Sequence, residues 1–218
     1  MITVIGLVSA MAGSNLQAIP ECPERFTPGE WYSCQTALDQ GETLTWTMDG
    51  GNLVLSQQMS DGRRQQTSTY TDSALWGAPR FSDLDLDGDE EMIATLFCGM
   101  VNCTYAVYQR DADGWFTYAG QGGGFGIKAA EAPGGLLTDT ARSSAAVYVY
   151  TTWLLDEDGL HLVYEIDKDH GMGVCHLRLG SAFGRSLLVA DEVLADCTQD
   201  LTQREEEVGS TIRDMGGE

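Results

Sequence analysis

Short runs in which apolar and polar residues alternate, broken by Asp-Gly or glycine-rich steps, fill most of this 218-residue chain. A period of two marks half-buried β-strands. Three pairs of runs read as hairpins: residues 44–48 turn through Asp49-Gly50-Gly51 into Leu53-Val54-Leu55, 105–108 turn at Asp113-Gly114 into 115–118, and 147–155 turn at Asp158-Gly159 into 160–166. Asp-Gly suits such turns because their central residues need positive φ. On the last strand Leu160, Leu162, Tyr164 and Ile166 share one face, which sends His161 and Glu165 to the other, with His161 toward solvent. Two further strands are expected over residues 174–179 and 187–193. The glycine-rich stretch 120–126 reads as a flexible loop, since the helix that a phosphate-binding glycine loop requires does not follow it. The best helix signal lies over 201–215, where Leu201, Val208, Ile212 and Met215 fall near one face. The expected fold class is mainly β, with antiparallel sheets arranged as an irregular propeller-like assembly or a sandwich. One domain would span 19–200, followed by an acidic tail or short helix over 201–218.

Six cysteines, at 22, 34, 98, 103, 175 and 197, place one pair in each third of the chain, and none has Cys-x-x-Cys spacing. Sequential pairing is the simplest of the connectivities they allow: Cys22 with Cys34, Cys98 with Cys103, Cys175 with Cys197. Each short loop so closed would contribute about 2–3.5 kcal/mol in the chain-entropy model. The rival is a zinc site using Cys175, His176 and His170, although a strand would point Cys175 and His176 to opposite faces. Residues 2–12 are apolar or small and precede Leu16-Gln17-Ala18, a plausible cleavage triplet, so 1–18 is expected to be a signal peptide. That run is too short to span a bilayer, and no second hydrophobic span follows. Disulfides and leader together predict a soluble periplasmic or secreted protein with no membrane insertion.

Charge narrows the partners. Thirty-three acids face 12 Lys and Arg, a net of -21, with Lys128 and Lys168 as the only lysines. Nucleic acid and anionic membrane surfaces need a basic patch that this chain cannot easily assemble. Such acidity suits cation binding, attraction to a basic protein or a salty habitat.

The chemistry concentrates in Asp83-Leu84-Asp85-Leu86-Asp87-Gly88-Asp89-Glu90-Glu91, followed at once by the β-leaning run 92–97. Acids at alternate positions can turn oxygens inward, Gly88 permits a sharp bend, and a final acid can close the shell, as hard Ca²⁺ prefers. Asp83, Asp85 and Asp87 match the first, third and fifth positions of a calcium loop, and Asp89 would offer its backbone carbonyl. The closing acid is Glu91 at the ninth position, whereas a helix-loop-helix EF-hand closes at the twelfth, here Ala94. The expected metal ligands are therefore Asp83, Asp85, Asp87, Asp89 and Glu91, with Ca²⁺ as cofactor; the competing reading is a solvated acidic turn.

This loop resembles the shortened Asp-x-Asp-x-Asp-Gly-x-x-Asp/Glu calcium loops of FG-GAP and related propeller-type repeats. Over residues 81–120 the order of calcium loop, strand, Cys98, short turn, Cys103, strand, Asp-Gly and aromatic strand is similar to a module of bacterial periplasmic proteins. Some of these are inhibitor or immunity proteins directed at lysozyme-type peptidoglycan hydrolases. The resemblance implies an exported, non-catalytic calcium-binding protein of the envelope that binds or inhibits another protein, such as a basic lysozyme-like hydrolase. The alternatives are a calcium-stabilised structural or surface module and, further off, a carboxylate-dependent glycan hydrolase, for which spacing selects no pair of acids. Gly-x-Ser-x-Gly and His-Glu-x-x-His motifs are absent, so no catalytic residue is assigned.

Overall fold

The computed structural model describes residues 19–24, 33–38, 41–49, 52–70, 75–129 and 136–215, and side chains as far as Thr202. The expected leader and the apolar positions of the tail beyond Leu201 lie outside this description. Three antiparallel sheets follow one another along the chain, each a simple meander. The first holds β1 (Ser33–Ala37), β2 (Thr43–Asp49), β3 (Asn52–Gln58) and β4 (Arg64–Tyr70). The second holds β5 (Arg80–Ser82), β6 (Glu91–Cys98), β7 (Cys103–Arg110) and β8 (Phe116–Gly124). The third runs in space from β13 (Val174–Leu179) through β12 (Gly159–Asp169), β11 (Val147–Asp156) and β10 (Leu136–Arg142) to β9 (Lys128–Ala129). The three expected hairpins form as β2–β3, β7–β8 and β11–β12.

The second sheet is the middle layer, because side chains alternate across a strand. Met92, Ala94 and Leu96 of β6 and Ala106 and Tyr108 of β7 pack with Leu44, Trp46, Leu53 and Leu55 of the first sheet. Their neighbours Ile93, Tyr105 and Val107 pack with Leu137, Leu155, Trp153 and Leu160 of the third. Burial on both faces is why 92–97 reads as a nearly continuous apolar run rather than an alternation. Buried polar groups cross-link the layers. Gln57 of β3 donates Nε2 to the Gly114 carbonyl at 2.9 Å and accepts from the Phe116 amide at 2.8 Å. Tyr108, whose phenol burial pushes up to about 12, shares a 2.9 Å hydrogen bond with Thr69. On the opposite side the Tyr105 hydroxyl donates to the buried Asp139 carboxylate, which also accepts from the Thr140 amide at 2.8 Å and the Gly126 amide at 3.1 Å. Three donors offset much of the cost of burying that carboxylate.

The glycine-rich stretch is not a flexible loop. Residues up to Gly124 belong to β8, with Gly120, Gly122 and Gly124 opposite Val107, Tyr105 and Cys103. The reason is steric. A Cβ on Gly120 would stand 2.7 Å from Leu160 and one on Gly122 2.5 Å from the Tyr105 ring, while one on Gly124 would overlap Asp139. Gly123, on the opposite face, would meet only the Cys103 carbonyl at 3.5 Å. Alternate glycines thus give Tyr105, Asp139 and Leu160 room against the strand.

Two other expectations change. On β12 the register shifts so that Leu162 faces Trp153 but Tyr164 faces Thr152, leaving Val163 as the extra residue of a bulge. Leu160 therefore packs toward the second sheet, while Tyr164 and Ile166 line the other side with Lys168. His161 is half-buried rather than fully solvent-facing, with Nε2 3.3 Å from Asp156. The expected strand over 187–193 does not form: a 3₁₀ turn, Phe183–Arg185, precedes it, residues 187–189 are irregular, and α1 (Ala190–Met215) begins within it, before the expected helix. Asp191 and Glu192 in its first turn complement the helix dipole. Val193, Cys197 and Leu201 recur every four residues, and Cys175–Cys197 ties the helix to β13. Cys22–Cys34 and Cys98–Cys103 complete the sequential pairing, with no free cysteine.

Gly122→Ala and Gly124→Ala should each destabilise the fold by about 1–3 kcal/mol through overpacking, whereas Gly123→Ala should stay within about 0.5 kcal/mol of the parent. Urea-denaturation midpoints would decide this; equal effects at all three positions would contradict the face-to-face packing of β8.

Candidate metal centre

Between β5 and β6 the chain must reverse, and Leu84 fixes how it does so. Its side chain is buried in the core between the second and third sheets, which holds Asp83 and Asp85 on either side of the anchor. The acid spacing does not announce this role; the apolar residue between two aspartates is its signal. Beyond the anchor the carboxylates wind the loop by capping amides ahead of them. Asp83 Oδ2 accepts from the Gly88 amide at 3.1 Å, Asp85 Oδ1 from Asp87 at 3.2 Å and Asp87 Oδ1 from Asp89 at 2.8 Å. Leu86 and Gly88 both take positive φ, at 64° and 102°. Glycine adopts that conformation without penalty, while the leucine is held there by the turns on either side.

Glu91 opens β6 opposite Ser82, only 3% exposed, and its Oε2 accepts from the Leu84 amide at 2.7 Å. The fold brings Asp83, Asp85 and Glu91 together, with one oxygen of each within 4.8 Å of the others. Asp87 and Asp89 belong to the same loop but not to that converging set. Asp83 Oδ1 is buried without a hydrogen-bond partner. Burial is the main reason that the Glu91 carboxyl is pushed up to about 7; the charges of Asp85, Asp87 and Asp83 add to it, against the Leu84 amide. Asp85 is raised too, first by burial and then by the charge of Asp87. The centre is an all-oxygen, electron-rich pocket whose innermost acid holds its proton near neutrality.

No family model and no curated protein matches the chain. One solved structure is similar. It is a Xanthomonas protein described as type IV secretion system related, with a TM-score of 0.41 and 13% identity over 72% of this chain and 91% of that one. At that distance no residue correspondence follows.

The zinc alternative fails on chemistry, because Cys175 is disulfide-bonded and offers no thiolate. Three disulfides instead mark an extracytoplasmic protein. Among the described residues no helix is long and apolar enough to cross a membrane.

The raised Glu91 carboxyl sets a pH dependence in the metal-free protein. The folded state keeps its proton up to about 7, whereas the unfolded chain releases it near the ordinary 4.5. Stability should then be highest below about pH 4.5 as far as this group decides it, and fall by on the order of 2–3 kcal/mol as pH rises to 7. Asp85 acts in the same direction. Urea midpoints in EDTA across that window should show the fall, and Glu91→Gln should flatten it; an unchanged slope in the variant would remove Glu91 as its source.

Proposed function

We propose that this protein is an exported, non-catalytic calcium-binding domain of the bacterial envelope that binds or inhibits another protein, in the manner of the lysozyme-inhibitor and immunity proteins its loop resembles. The observation that carries the reading is the convergence of Asp83, Asp85 and Glu91, with one Asp83 oxygen buried and without a hydrogen-bond partner. Those three would hold the cation, and Asp87 with the Asp89 carbonyl would add to the six to eight oxygens that calcium takes. When bound, the ion supplies positive charge that relieves repulsion among the acids and ties the start of β6 to the loop before it. Displacing the Glu91 proton is part of binding, so apparent affinity should weaken as pH falls below about 7. The net charge of -21 supports a basic partner, steered from a distance by the protein's field.

A structural module stapled by calcium, with no inhibitory role, is the second reading; what favours it is the position of Glu91 at the head of the most buried strand. One pair of assays separates the two. In a thermal melt, calcium at about 100 times its Kd should stabilise the native protein by about 2.7 kcal/mol, roughly 5–10 °C for a chain of this size. Magnesium should do less, and Asp85→Ala/Asp87→Ala should lose the calcium shift. Native protein should also inhibit purified basic muramidases in calcium. A calcium shift without inhibition favours the structural module, and equal shifts in native and variant protein would defeat the metal assignment.

A further inference from the structure

From Met92 to Gln109 the chain carries no charged residue, although its net charge is -21. This stretch is the β6–β7 hairpin. Its middle is buried on both faces, but its tip is not: Met100 is fully exposed, and Phe97 and Val101 are half exposed. Phe125 lies at the same end of the second sheet, one residue past Gly124, which pairs with Cys103, and is also about half exposed. Trp76 meets the Phe97 ring edge-on at 6.2 Å. The bulge at Leu96 sets half-exposed Phe97 opposite Thr104, while Leu96 stays on the core face with Met92 and Ala94.

This apolar crest is braced at its base. Cys98–Cys103 closes the hairpin, and the Gly99 amide donates to the Asn102 carbonyl at 2.8 Å. The Asn102 side chain spends both ends on the third sheet, donating to the Arg142 carbonyl at 3.0 Å and accepting from the Arg142 amide at 2.9 Å. A disulfide across so short a loop contributes about 2 kcal/mol in the chain-entropy model, the low end of the range, since that contribution grows with loop length. Its structural effect is to fix the shape of the turn. A turn held in shape loses little backbone freedom on binding, and methionine, although it gives up rotamers when buried, adapts to irregular pockets.

We propose that the tip Gly99-Met100-Val101, flanked by Phe97 and Phe125, is the docking element for a basic protein that presents an apolar cleft; Met100 enters the cleft, and the acidic remainder of the surface faces the cleft's cationic surroundings. The proposal rests on the binding reading above but uses the far end of β6 from the acidic loop, about 23 Å away along the strand.

The test is binding of native protein, Met100→Ser/Val101→Ser and Asp85→Ala/Asp87→Ala to a panel of purified basic muramidases in calcium. In parallel, photoreactive benzoylphenylalanine replaces Met100 or, at the opposite end of the sheet, Ala112, and each form is irradiated in a bacterial envelope extract. Because both tip side chains are exposed, the double variant should melt with the native protein. Support is at least about tenfold weaker muramidase binding by Met100→Ser/Val101→Ser with its melt and calcium shift intact. Native and tip variant binding equally would overturn the docking element while leaving the binding reading in place. If no muramidase binds, that hydrolase reading falls and the cross-link decides. An adduct at position 100 but not 112, whose captured protein once purified binds the tip variant about tenfold more weakly, supports the crest. No adduct at 100, equal adducts at both positions or undiminished binding by the purified protein overturns it.

Discussion

The structure depends on a sheet that has cores on both sides. Residues of β6 and β7 pack alternately against the first and third sheets, so neither outer sheet shares a core with the other directly. Each core is completed by polar groups that reach across a layer boundary: Gln57 and Thr69 on one side, Asp139 and Asn102 on the other. These bonds are directional where apolar contact is not, so they fix how the layers sit rather than only that they adhere. The same middle sheet places the acidic loop at one end and the apolar tip at the other.

Much of this was legible in the chain. Period-two alternation and Asp-Gly steps mark the hairpins because turn chemistry and half-burial act locally, within a few residues. The cysteines pair as neighbours because each bridges adjacent elements, and the acid spacing finds Asp83, Asp85 and Glu91. What alternation does not announce are features set by a partner layer. Glycine at 120, 122 and 124 looks like a local breaker, yet at 120 and 124 it answers the bulk of Leu160 and Asp139 across the interface, and at 122 that of Tyr105 on the neighbouring strand, which itself bonds Asp139. In retrospect the regular spacing of two is itself a strand signal. The bulge at Val163 is invisible because a register slip leaves the residue pattern intact while exchanging faces. The start of α1 is masked by the apolar run 187–190, and the fourfold spacing of Val193, Cys197 and Leu201 with the early acids outweighs it.

Within the site the loop acids do two jobs. As acceptors for the amides of Gly88, Asp87 and Asp89 they shape the turn, and as a converging set they make it costly to leave bare. The first job is done by hydrogen bonds within the loop, which hold Leu86 at positive φ. Burial of Glu91 then couples that form to β6, since the carboxyl group that accepts from the Leu84 amide stands at the head of the strand. A change at the loop is felt by the most buried segment of the molecule rather than by a surface appendage.

The consecutive order of the three meanders also sets an order of assembly. The first two sheets can pair as soon as their own residues are available, but the face bearing Ile93, Tyr105 and Val107 stays bare until residues 136–160 arrive to cover it. Should the chain emerge from its N-terminus and its first two sheets form before the third, a long, uncharged, strand-forming surface would be open to other molecules. Such a surface pairs or aggregates readily. Completion of the third sheet is what covers that surface, and a chain cut short before it would leave Ile93, Tyr105 and Val107 without their partners.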